Sequence, residues 1–269
     1  MRKLSGLSIY NLVVCVLSII AFFLLNVFAD GDTFRILTIA LEIIVLIFLA
    51  ISVAGFIIRK KNDINILTDD LEPEKLINHI KKWGFLYTPY RREMLLSLLY
   101  QAIERYDLSL EIVSKIKRGN MPVDYYLSFL DTVDFCKCYI GMNEREQAEK
   151  YLNLAREMIK NIEVNERSKY MFFTLNQLER SYALRFDDTF SDYEYYEKLL
   201  DPNSQIAPKI FYSNYNIVII HNSLAKLYLR LGMTERANIN FKYVADYGKN
   251  LPCAIRARNY LQNGIIEGI

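Results

Sequence analysis

Chemistry at a protein site needs groups that move protons, attack carbonyl or phosphoryl centres, or hold metals, and this chain has few of them at productive spacing. Two histidines, His79 and His221, are the whole imidazole supply, and neither has a neighbour at metal-ligand spacing. His221 lies within an apolar helical pattern, where an imidazole packs into a core or lines a groove. Cys136 and Cys138 stand two apart in a helical stretch, so their thiols leave on different faces and cannot act as a CxxC pair. There is no glycine loop to cradle phosphates and no nucleophile elbow. Trp83 and the 20 tyrosines read as core aromatics. No catalytic residue, metal site or cofactor is therefore expected, and the function to look for is non-enzymatic.

One carboxyl stands out by its surroundings. Glu42 is the only charged residue in the apolar run 36–58, and a second apolar run, 7–29, has no charge at all. A bilayer-spanning helix needs roughly 20 predominantly apolar residues, so each run is long enough to cross. Only Asp30, Gly31, Asp32, Thr33, Phe34 and Arg35 separate them, which predicts a transmembrane hairpin over 1–61. A charge at mid-span costs roughly 2.5–3.5 kcal/mol. The Leu, Ile, Val and Phe residues of the run offset this with about −6 kcal/mol in total on insertion scales. Glu42 has two readings: a carboxyl in the outer half of the span, protonated or hydrogen-bonded to Asn26 on the facing helix, or a pair with a partner's membrane helix. Arg2 and Lys3 precede the hairpin and Arg59, Lys60 and Lys61 follow it, so both termini and the large domain are expected on the cytoplasmic side of the plasma membrane. The rival, a cleaved signal peptide ending near Ala29, suffers from an apolar core longer than such peptides use.

Outside the hairpin, residues 62–269 carry 27 basic and 28 acidic side chains, so no basic face for nucleic acid is implied. Four cysteines, one of them (Cys15) within the first span, form no disulfide framework, in keeping with a reducing compartment. Abundant Ile, Asn, Lys and Tyr match an AT-rich bacterial genome.

Residues 62–87 read as a linker and connecting helix, and 88–269 as one helical domain. All six prolines fall between apolar-periodic segments, and glycines 84, 119, 141, 232 and 248 follow them, as C-terminal caps do. No stretch alternates with period two, so the fold class is all-α. The predicted helices are 73–83, 88–105, 107–118, 122–140, 143–161, 164–185, 189–200, 208–231, 234–249 and 252–266.

Near the ends of the longer helices an apolar residue is followed four later by tyrosine: Ala102/Tyr106, Phe135/Tyr139, Leu178/Tyr182 and Leu224/Tyr228. That spacing stacks each pair on one helix face. Gly141-Met142-Asn143-Glu144-Arg145 and Gly232-Met233-Thr234-Glu235-Arg236 recur between helices, followed by Ala148/Leu152/Ala155 and Ala237/Phe241/Val244. In Leu224, Ala225, Tyr228, Gly232, Ala237 and Phe241 the chain resembles the tetratricopeptide repeat family, with a looser copy around Tyr139. The early Trp of that family is absent from every repeat.

The resemblance implies an α-solenoid of helical hairpins that binds proteins or peptides on the inner face of its first helices. On that face it places Glu104 with Tyr100, Lys137 with Val133, Arg180 with Asn176, and Lys226 with Asn222. An amide one turn before a cation is similar to the clamp with which some members grip a peptide carboxylate, and suits an anionic group. The expectation is thus a membrane-anchored scaffold for a protein or peptide partner. Alternatives are an accessory subunit of a transporter or secretion complex docked through the hairpin, and a peptide-responsive regulator at the membrane.

Overall fold

The computed structural model describes residues 70–84, 87, 89–116, 125–204, 206–208 and 211–264. The hairpin expected over 1–61, with Glu42 and Asn26, lies outside them. Among the described residues there are ten α-helices and no strand, and no helix is long and apolar enough to cross a membrane.

The helices are α1 (Pro73–Trp83), α2 (Pro89–Ala102), α3 (Tyr106–Lys115), α4 (Tyr125–Gly141), α5 (Arg145–Ile159), α6 (Glu166–Phe186), α7 (Tyr193–Leu200), α8 (Asn214–Arg230), α9 (Thr234–Tyr247) and α10 (Pro252–Asn263). A short 3₁₀ turn, Pro202–Ser204, follows α7. Proline opens α1, α2 and α10, where its missing N–H and fixed φ cost nothing. Asn165 and Ser168 cap the start of α6 reciprocally: the Ser168 N–H donates to Asn165 Oδ1 at 3.0 Å, and the Asn165 N–H to Ser168 Oγ at 2.7 Å. The Ser213 hydroxyl accepts from the Asn216 N–H and starts α8 there, six residues later than the periodicity suggests.

Neighbours in sequence pack as neighbours in space: α2 on α3, α4 on α5, α8 on α9, and α9 on α10. Three of these pairs turn in the same way. The N–H of Arg105, Glu144 and Met233 reaches back five residues to the carbonyls of Tyr100, Tyr139 and Tyr228, at 2.8, 2.9 and 2.7 Å. The residue before each donor takes a left-handed φ: Glu104 at 59°, Asn143 at 64° and Gly232 at 73°. This is the six-to-one turn that satisfies the last helical carbonyls.

The common turn fixes a common register. Three residues before each tyrosine stand Ser97, Cys136 and Ala225; nine after stand Ser109, Ala148 and Ala237; all six are fully buried. Small side chains at both positions let the two helices of a hairpin approach closely. Thirteen after each tyrosine, Val113, Leu152 and Phe241 fill the space beneath. The pairing of Ala102 with Tyr106 is thereby corrected. Tyr106 opens α3, and Tyr100 is the counterpart of Tyr139 and Tyr228. Glycine 141 is corrected likewise: Asn143 takes the left-handed position. A Cβ on Gly141 would stand 2.4 Å from the Tyr106 ring, so that glycine makes room for an aromatic from the preceding hairpin.

Three apolar clusters follow one another along the chain: α1 to α3, then α4 to α6, then α7 to α10. The array also meets itself. Leu71, ahead of α1, is buried in the α7–α10 cluster. In addition, Arg256 of α10 grips Glu104, in the α2–α3 turn, through both terminal guanidinium nitrogens, Nη1 and Nη2, one bond at 2.6 Å.

Candidate functional site

Where the first hairpin meets the last, a cavity of about 300 Å³ is lined by Glu104, Tyr106, Ile140, Gly141, Ser181, Leu184, Arg185, Lys226, Arg230 and Arg256. Lys226 and Arg230 sit one turn apart on α8, Arg185 near the end of α6, and Arg256 on α10. Four cations thus share the cavity with one carboxylate. Arg256 is matched to Glu104, which holds the guanidinium pKa above its ordinary value. Arg230 spends its bonds on the carbonyls of Asp187 and Leu184, at 3.0 and 2.9 Å. Arg185 donates to the Asn143 amide oxygen at 3.0 Å. Burial, followed by the charge of Arg256, pushes the Lys226 ammonium below the ordinary lysine range.

A second, larger cleft of about 650 Å³ lies between α6 and the segment after α7. Val164, Lys169, Tyr170, Phe172, Phe173, Asn176, Tyr195, Ile206, Ala207 and Pro208 line it. Its walls are mostly apolar, and Phe173 is braced edge-on by Phe211 with ring centroids 4.9 Å apart. Tyr170 and Phe172, each 37% exposed, both stand in this cleft's lining and so give it an aromatic rim. A third hollow of about 590 Å³, beside α6, mixes Arg145, Arg156 and Arg180 with Glu179, Asp187, Asp188 and Asp192, so its charges offset one another.

The residues expected to form a clamp do not converge. Asn176 and Arg180 do meet, but Arg180 Nη1 donates to Asn176 Oδ1. The same guanidinium bonds Asp192 from Nε at 3.1 Å and lies 3.6 Å from the centre of the Tyr195 ring. Gln177 completes the arrangement by donating to the Tyr195 hydroxyl at 2.6 Å. Arg180 therefore ties the α6–α7 connection together, whereas Lys226 belongs to the cationic cavity, with Asn222 half-buried one turn before it on α8. Lys137, half-buried on α4, acts on the neighbouring Asp134 carboxyl. The inner-face positions expected at Tyr100 and Val133 are corrected, because both side chains are buried and offer no binding surface.

Two features had little or no sequence signal. The Glu104–Arg256 pair spans 152 residues. Asp134, buried in α4, interacts with Gln101, which also reaches Ser109 at 3.2 Å; Ser109 in turn bonds Ser97 at 2.8 Å and accepts from Cys138 Sγ at 3.3 Å. Burial holds the Asp134 carboxyl above the ordinary aspartate range. Cys136 turns the other way, to the Ala148 carbonyl, so the two thiols do diverge. Burial raises the thiols of Cys136, Cys138 and Cys253 to about 12, 11 and 11, which keeps them protonated and structural. His221 is half-buried, bonded to the Asn240 side chain at 2.7 Å and stacked on Tyr243. Among the described residues no group of three or more His, Cys, Asp or Glu side chains is placed to hold a metal.

Compared with protein-family models, with curated proteins and with solved structures, the chain shows no match.

Proposed function

We propose that this chain is a membrane-anchored, non-enzymatic scaffold that binds a protein or peptide partner through a helical array of tetratricopeptide-like hairpins. The observation that carries the reading is the aromatic cleft beside α6, where Tyr170, Phe172, Phe173 and Tyr195 form a concave apolar wall. Asn176 and Lys169 stand at it to hold a peptide's polar groups. Apolar walls with a few placed polar groups are what a binding cleft needs. The recurring turn supports the repeat reading. Small residues three before and nine after each tyrosine, and a bulky one thirteen after, are the spacing of the family's two-helix unit, in three hairpins rather than two. The anchor rests on the two apolar runs, and the cytoplasmic position of the domain on the lysine and arginine flanks.

The test is a photo-crosslinking amino acid placed at Phe172 in the full chain, in its native membrane. Ile239, 70% exposed on α9, is the control position. The expected result is a discrete crosslinked partner at Phe172, lost on Phe173→Asp, with none at Ile239. Equal or absent crosslinking at the two positions rejects the cleft as the binding surface.

A further inference from the structure

The cationic cavity calls for a ligand of a different chemistry. Four basic side chains from α6, α8 and α10 line a space of about 300 Å³, and among the described residues the only carboxylate lining it is Glu104. Arg185 and Arg230 direct their hydrogen bonds to neutral oxygens, one amide and two carbonyls, which leaves their charge in place. Asp187 is attracted by Arg230 and by Arg145, but its carboxylate accepts from the Thr189 hydroxyl and N–H.

We propose that this cavity binds a compact oxyanion, a phosphate or a terminal carboxylate, held by Lys226, Arg185 and Arg256. Gathering like charges in a half-enclosed space costs free energy, and an anion placed among them turns that cost into attraction. Burial first, and then the charge of Arg256, hold the Lys226 ammonium below the ordinary lysine range, with Arg185 adding to the effect and Glu104 opposing it. A cavity of this size admits a phosphate or a chain end but not a nucleic-acid strand. The near-neutral balance of residues 62–269 likewise argues against a polyanion. Glu104 is the competitor already in place. A bound anion shares Arg256 with it and so loosens the contact between the first hairpin and the last. This cavity is distinct from the aromatic cleft, and its occupancy is decided independently of the partner bound there.

The experiment is calorimetric titration of the full chain in phosphatidylcholine nanodiscs with two probes, inorganic phosphate and a tripeptide with a free C-terminus. The C-terminally amidated tripeptide is the control. At least one probe should bind. Binding of phosphate identifies a phosphate group, and binding of the free but not the amidated tripeptide identifies a terminal carboxylate. Lys226→Gln should weaken binding by about tenfold or more, the loss expected for one charged hydrogen bond. Glu104→Gln, which removes the competing charge and keeps the shape, should tighten it severalfold. That gain decides for the cavity even where Lys226→Gln does not fold. No binding of either probe at millimolar concentration, or an affinity that Glu104→Gln leaves unchanged or lowers, overturns the proposal.

Discussion

Ala225 of α8 and Ala237 of α9 are fully buried where their hairpin closes, and Cys136 with Ala148, and Ser97 with Ser109, repeat the arrangement twice upstream. Between the second and third of these hairpins, α6 and α7 are joined differently. Asp187 to Asp192 form a longer polar connection, and Arg180 holds it by bonding Asp192 and lying on Tyr195. The regular hairpins get their fixed geometry from small side chains and one left-handed residue. The irregular segment gets its geometry from a cation, a carboxylate and a ring, and leaves an aromatic cleft beside them. Regularity here makes the frame, and departure from it makes the cleft proposed above as the binding surface.

Breaking the frame should have the largest effect. Ala237→Leu puts three extra carbons where two helices touch, and overpacking of this kind costs roughly 1–3 kcal/mol. Thermal melting of the full chain in mild detergent should show a clear fall in Tm, against no change for the exposed Lys242→Ala on the same helix. Equal melting would mean that the small-residue register does not hold the hairpins together.

The irregular segment should respond to loss of its cation. Arg180 is only 21% exposed, so it is not the dispensable surface charge that its place in an amide–cation stripe suggests. Arg180→Ala removes the Asp192 bond and the contact over Tyr195, with an expected cost of about 1–2 kcal/mol, as for a partly screened charged hydrogen bond. The same assay checks it, with Asp192→Asn as the second arm. If the two effects simply add, the pair does not close the connection.

How much of this was legible in the sequence depended on how local the cause was. Pro73 and Pro252 announce the starts of α1 and α10, and the helical period carries every element in its order. The register of the first hairpin was hidden because serines at 97 and 109 do the work of alanine, while Tyr106 offers a false match six residues on. The spacing of Asn176 and Arg180 puts them one turn apart, but Asp192, which decides what Arg180 does, lies in a connection without periodicity. The cationic cavity was invisible because Glu104 and Arg256 are brought together only by the path of the whole array.

A smaller effect is expected where the first two regular hairpins meet. The folded pKa of Asp134 is raised above its ordinary 3.8 by burial, so the folded state holds its proton to higher pH than the unfolded state does. Its stabilising contribution is complete below the ordinary value and is lost as pH rises through the raised folded value. Asp134→Asn, which keeps the shape without the charge, should therefore melt higher than wild type near neutral pH. The gap should shrink as pH falls toward the ordinary aspartate range. A gap that is constant with pH would show that the carboxyl titrates alike in both states.

The smallest effect belongs to the serine crossing, and it compares the first hairpin directly with the third. Ser97 and Ser109 share a 2.8 Å hydrogen bond at the positions where α8 and α9 carry Ala225 and Ala237. Removing one hydroxyl leaves the other buried with weaker company: the Gln101 amide is 3.5 Å from Ser97 and 3.2 Å from Ser109, which also keeps the Cys138 thiol at 3.3 Å. Ser109→Ala should accordingly cost about 1 kcal/mol, the net value of a buried hydrogen bond with a partly unsatisfied partner. The double variant Ser97→Ala/Ser109→Ala recreates the alanine crossing of the third hairpin and leaves no orphaned serine. Its cost should fall below the sum of the two single changes by about 0.5 kcal/mol or more, as expected for residues in direct contact. Melting of all four proteins in one detergent closes the cycle. Strict additivity would show that the two serines act independently, and that the small size shared by the three crossings, rather than the bond between hydroxyls, is all that the first hairpin needs.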